Sequence, residues 1–232
     1  MTFLAIDGRA DAPVFLTCEH ASEDLPDGEA WPEPDLRLRG THWAFDLGAR
    51  EITLELAAAL SAPAVLATFS RLWIDPNRPL DSETLFREVA DGEPILLNQS
   101  LDAAARERRI EQHYRPFHAA IDRRLGATRC PIVLAIHTFT PLYEGQPRKV
   151  ELGVLFDHED ELGQRWTEHL HALGHDARAN EPWSGKAGLI HVAQTHADAH
   201  GRRAMELEVR QDLAVDPGFR ARLIPELVAM LR

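Results

Sequence analysis

The chain of 232 residues carries 25 Lys and Arg against 37 Asp and Glu, a formal charge of −12, with 44% hydrophobic and 27% charged residues. This is the composition of an ordinary globular protein; the acidity argues against a nucleic-acid binder, and no apolar run approaches the ~18 residues of a membrane span. Cys18 and Cys130 are too few for a disulfide scaffold or a cysteine-rich zinc module, whereas twelve histidines ask for an explanation. The opening MTFLAIDGRADAPV lacks the basic and apolar regions of a secretory leader, so a cytoplasmic protein is expected.

Short β-rich runs alternate with longer helical patterns. In chain order they are a strand at Val14–Cys18 (VFLTC), a helix over Trp43–Leu60, and a strand at Ala64–Thr68 (AVLAT). A helix over Leu101–Leu125 follows, with Asp102 as its start and Gly126 as its stop. Next come strands at Ile132–Ile136 (IVLAI) and Val150–Phe156 (VELGVLF) and a helix over Asp160–Leu173 that Gly174 ends. A strand at Ala204–Arg210 (AMELEVR) precedes the last helix, Pro217–Leu231, whose start is marked by Asp216 and Pro217. VFLTC and IVLAI are almost wholly apolar, as central strands covered on both faces must be. With no repeat or linker, the pattern predicts one α/β domain over residues 1–232, a three-layer sandwich whose mixed, mostly parallel sheet has helices on both faces. Sites in such sheets lie at the carboxyl ends of the strands.

After VFLTC, His20 and Glu23 are three residues apart, so an imidazole and a carboxylate can reach one point from a tight turn. After IVLAI comes His137, and the three together form a His/Glu/His set of the kind that holds catalytic zinc. After AVLAT, the segment SRLWIDPNRPL carries Arg71, Asp75, Asn77 and Arg78. Arginine grips carboxylates with a two-pronged fork and asparagine adds a neutral donor, while Asp75 can brace an arginine or support a ligating histidine. AMELEVR alternates strictly, placing Glu206, Glu208 and Arg210 on one face. In a sheet covered on both sides that stripe needs a cavity or partners, and one of the glutamates can serve as general base. Asp46 shares a helix face with His42. His113, His118, His158, His169, His171 and His175 read as solvated; His196 and His200 stand nearer the site, and Asn180 is placed at the pocket.

The order strand–HxxE, SRxxxDxNR, strand–His, strand–Glu resembles that of the N-formylglutamate amidohydrolase family, part of the zinc carboxypeptidase-like hydrolases. The segments TCEHASEDLP, SRLWIDPNRPL, IHTFTP and MELEVRQDL carry the resemblance, which extends over nearly the whole chain. It implies a phosphorylase/hydrolase-like sandwich, one zinc ion and hydrolysis of an amide on an acidic amino acid. Position by position it implies zinc on His20, Glu23 and His137, and a carboxylate clamp of Arg71, Asn77, Arg78 and Arg148. It further implies Glu208 as the catalytic base, with Glu206 as the alternative, Asp46 as the alternative carboxylate ligand to Glu23, and Arg71 stabilising the oxyanion. The expected partner is a small carboxylated substrate rather than a nucleic acid or a membrane. Two other readings fit the same residues: a non-catalytic protein that captures carboxylated metabolites, and a zinc carboxypeptidase acting on small peptides.

Overall fold

The apolar runs form the centre of a seven-stranded sheet in a computed structural model that describes residues 2–143 and 145–232. The strands are β1 (Phe3–Ile6), β2 (Phe15–Cys18), β3 (Ala64–Ala67), β4 (Val89–Ala90), β5 (Glu93–Pro94), β6 (Ile132–Phe139), β7 (Leu142–Tyr143), β8 (Gln146–Pro147), β9 (Leu152–Leu155), β10 (Ala177–Ala179) and β11 (Arg203–Arg210). The helices are α1 (Ala49–Leu60), α2 (Ala103–Arg109), α3 (Arg115–Gly126), α4 (Asp160–Ala172), α5 (His191–His200), α6 (Gln211–Ala214) and α7 (Pro217–Leu231). The large sheet has the order β1-β3-β2-β6-β11-β9-β10, and β4-β5 and β7-β8 are two small hairpins.

Strands β3, β2, β6 and β11 run parallel, while β1 joins β3 and β9 joins β11 in antiparallel fashion. The mixed sheet is therefore parallel at its centre, where β6 is buried along all eight residues. Helices α1, α4 and α7 cover one face and α3 and α5 the other. No helix among the described residues is long and apolar enough to cross a membrane.

Two departures from the sequence pattern position the site. The helix expected over Trp43–Leu60 begins only at Ala49, because Gly48 adopts φ 84°. A Cβ there would meet the Ala214 carbonyl carbon at 2.6 Å, so glycine alone fits this turn. Residues 43–48 consequently form a turn, Asp46 N donates to His20 O at 2.9 Å, and Asp46 and His42 do not share a helix face. The second departure lies in the long helix, where a π-helical turn at Ile110–Tyr114 separates α2 from α3. Just before it, Arg109 is buried with its guanidinium 3.5 Å over the Trp73 ring, donating to Trp73 O, Asn98 Oδ1 and Leu97 O. Tyr114 at its end and His118 one turn further face the loop that follows β3.

Candidate active site

The parallel register brings together what the chain separates. His137 near the end of β6 pairs with Glu208 of β11, and Glu206 sits beside Ala135, two residues deeper. His20 follows β2, and Asp46 arrives from the turn before α1. His20, Asp46 and His137 each offer one ligand atom, all within 4.8 Å of one another.

The orientation of the two rings decides what this group can hold. His20 Nε2 lies 2.7 Å from Asp75 Oδ1, and His137 Nε2 lies 2.8 Å from Glu19 Oε2. A carboxylate only accepts, so each Nε2 carries the proton and each neutral ring turns the Nδ1 electron pair forward. Both Nδ1 atoms face Asp46 Oδ2, at 3.4 Å for His20 and 2.8 Å for His137. Three electron pairs thus meet with no hydrogen between them, an arrangement that requires a cation or an added proton. Two imidazoles and a carboxylate, each imidazole backed by a second carboxylate, are a donor set that fits zinc.

The protonation preferences follow. Burial alone would lower the His137 imidazole, but Glu206, Asp46 and Glu19 outweigh it and raise it well above the ordinary value. Burial would raise Asp46, Asp75 and Glu19; His20 and His137 hold Asp46 low, Arg71 and His20 hold Asp75 low, and His137 does so for Glu19. Burial pushes Glu206 up to about 7 and, aided by the charge of Glu206, pushes Glu208 well above the carboxylate range. Glu19 Oε1, Glu206 Oε2 and Glu208 Oε2 are buried without a hydrogen-bond partner among the described residues. Orphaned polar atoms of this kind are costly unless a ligand, ion or water meets them.

A cavity of about 360 Å³ opens on this group and is also lined by Arg71, Arg78, Arg87 and Arg148. Arg71 Nη2 bonds Asp75 Oδ2 at 2.8 Å, so Asp75 braces His20 and Arg71 at once. Arg78 donates to Asn77 O and Thr84 Oγ1, both neutral. The Arg148 guanidinium lies 4.5 to 5.5 Å from the centres of Tyr143, Trp183 and Phe139, an aromatic cage that fixes its direction.

Three residues chosen from sequence stand elsewhere. Glu23 is not part of the His20 group: its carboxylate accepts from Arg39 Nη2 at 2.9 Å and from Gly40 N, and Asp46 occupies the position expected of it. The chain turns after His20, so a three-residue spacing does not bring both side chains to one point. Asn77 touches the cavity, yet its amide is consumed by structure, donating to Leu189 O at 3.3 Å and accepting from Val192 N at 3.0 Å. Asn180 Oδ1 accepts from Phe156 N and Gly185 N and shapes a loop rather than the pocket. Sequence reasoning missed Glu19, Trp43 and Arg87, of which only Glu19, adjacent to His20 at the end of a buried strand, carried a readable signal; His42, paired with Asp46 from sequence, does line the cavity.

The sequence pattern of the N-formylglutamate amidohydrolase family matches residues 12–215. An N-formylglutamate deformylase of Pseudomonas putida is 29% identical over 130 residues, which are 50% of this chain and 46% of that protein; the match spans about half its length. A gene product of Agrobacterium tumefaciens has the same fold with TM-score 0.88 and 29% identity, covering 99% of this chain and 93% of the other. An N-formylglutamate amidohydrolase from Ralstonia eutropha JMP134 superposes with TM-score 0.72 at 22% identity, over 99% and 95% of the two chains, a likeness of fold.

Proposed function

Because the chain belongs to the N-formylglutamate amidohydrolase family, we propose that it is a zinc-dependent amidohydrolase cleaving the amide of an N-acyl amino acid of the N-formylglutamate type. The observation that carries this reading is the meeting of two imidazole electron pairs with Asp46 in a cavity walled by arginines.

His20, Asp46 and His137 would hold the ion, with Asp75 and Glu19 fixing the two rings from behind. Zinc, when bound, supplies Lewis acidity that activates water and polarises the scissile carbonyl. Glu208 takes the proton from the attacking water and delivers it to the leaving nitrogen as the carbon–nitrogen bond breaks. The oxygen of that water ends in the released carboxylate, formate for a formyl substrate, and the amino acid leaves as the free amine. Arg71, held rigid by Asp75, stabilises the negative charge that develops on the carbonyl oxygen. Arg78 and Arg148 grip the substrate carboxylates and set its orientation. Asn77 serves by holding the loop through Leu189 and Val192.

The test is release of free amino acid from N-formyl-L-glutamate by zinc-replete and chelator-stripped protein, beside N-acetyl and N-succinyl amino acids and short peptides. Zinc-dependent hydrolysis of an N-acyl amino acid is expected. Cleavage of peptides alone would make the protein a carboxypeptidase, and saturable binding without turnover would make it a metabolite-binding protein.

A further inference from the structure

Behind the Arg71–Arg78 loop lies a second histidine pair, one ring buried and the other half-buried, that the reaction above does not use. His118 on α3 and His196 on α5 form a chain in series. His118 Nε2 is 3.1 Å from Pro76 O, His118 Nδ1 is 2.9 Å from His196 Nε2, and His196 Nδ1 is 2.7 Å from Asp122 Oδ1. His196 is 2% exposed, whereas the Asp122 side chain is 51% exposed, so the chain leads from the surface to the back of the loop.

Counting protons gives this chain its character. Its two ends are a carbonyl and a carboxylate, which only accept, so His118 carries Nε2–H and His196 carries Nδ1–H. The contact between the rings needs a third N–H. Two rings therefore hold three ring protons, one more than two neutral imidazoles possess. Burial and the neighbouring His196 push His118 down to about 4, and the carboxylate that can balance an added charge, Asp122, lies 2.7 Å from His196 Nδ1. Burial would raise Asp122, but its bonds to His196 and His200 hold it low. The other polar groups facing the pair are Tyr114 of the π-helical turn, His191 of α5, Glu19 after β2, and Asp75 and Arg78 of the loop.

The loop depends on this support. Pro76 has no N–H, so its carbonyl is the only backbone polar group by which it can be held. Its neighbours are tied to the same two helices and the segment before α5: Asn77 to Val192 N and Leu189 O, and Arg78 O to the Tyr114 hydroxyl at 2.8 Å. Loss of the extra proton leaves two N–H groups for three contacts. Then the two rings meet lone pair to lone pair, or His118 changes tautomer and turns a lone pair on Pro76 O, or His196 changes tautomer and turns one on Asp122; the second of these releases the loop.

We propose that Asp122, His196 and His118 are positioning residues, a relay holding one proton beyond two neutral rings that anchors Pro76 O and with it the loop presenting Arg71, Asp75 and Arg78. Its effect on substrate rests on the reading of that loop as the clamp; the proton count does not.

Asp122→Asn removes the charge that retains the proton; because its amide can donate to His196 Nδ1, two neutral rings then still reach Pro76 O, so the anchor itself is tested by His118→Phe, which deletes the donor. Long-range proton–nitrogen correlation spectra of the labelled zinc-replete protein read the rings directly. At about pH 7, His196 should be protonated on both nitrogens and His118 should be the Nε2–H tautomer; in Asp122→Asn the extra proton should be gone. With N-formyl-L-glutamate, His118→Phe should raise KM about fivefold and lower kcat about twofold or more, since Arg71 rides on the same loop, with unchanged zinc content. Two neutral rings in the unaltered protein from about pH 6 to about pH 8 would overturn the relay, whether or not that substrate is turned over. A His118→Phe variant that keeps its KM would overturn the link to the clamp, and an Asp122→Asn variant that keeps the extra proton would overturn the role of Asp122. A protein inactive on every N-acyl amino acid would sink the amidohydrolase reading and leave the ring-proton count to decide the relay.

Discussion

Two histidine pairs stand on either side of one loop, and they differ in how their ring nitrogens are spent. In the front pair, His20 and His137 each give Nε2 to a carboxylate behind them and aim Nδ1 at Asp46. In the back pair, His118 and His196 run nitrogen to nitrogen and end on Pro76 O and Asp122. Both sites have two imidazoles and carboxylate support, so composition does not separate them. Direction does: converging electron pairs call for a cation, and a chain in series is completed by one proton.

The largest effect should come from breaking the front pair. His20→Ala or His137→Ala removes one of three donors, and elemental analysis should find the zinc lost together with measurable turnover. His118→Phe, which deletes the nitrogens of the back pair and keeps an aromatic ring, should retain stoichiometric zinc. If the His118 variant also lost its metal, the division of labour between the two pairs would be wrong.

A smaller effect should come from the glutamate that shares the His137 row. Glu208→Gln preserves size and removes the basic oxygen, so metal content should stay whole while kcat falls by about a hundred- to ten-thousandfold. Full activity in that variant would transfer the base role to Glu206, which lies 3.7 Å from His137 Nε2 and one strand step deeper.

The same contrast explains how far the sequence could be read. VFLTC and IVLAI were legible as central strands because burial on both faces excludes polar residues, and His20 and His137 follow from where those strands end. The edge strand β1 was not legible: four half-buried residues, FLAI, paired only with β3, carry no alternation. Helix α5 was hidden because HVAQTHADAH fills a buried position with His196, whose polarity is satisfied by Asp122 and His118 on another helix. His118 read as solvated for the same reason. The amide of Asn77 looked free for a ligand because its partners lie more than a hundred residues away. Patterns report burial well; they do not report which distant atom receives a side chain.

The smallest expected effect tests the ligand that spacing suggested against the one that folding supplies. Glu23 accepts from Arg39, whose side chain is 47% exposed, and exposed ion pairs of this kind contribute about 1 kcal/mol or less. Glu23→Gln keeps an oxygen for Gly40 N, so melting temperature, zinc content and turnover should all stay close to those of the unaltered protein. Asp46→Asn removes the charge on which both Nδ1 atoms converge and should release the metal. A Glu23→Gln variant that lost zinc while Asp46→Asn kept it would reverse the assignment, because it would require the turn after His20 to refold around the ion.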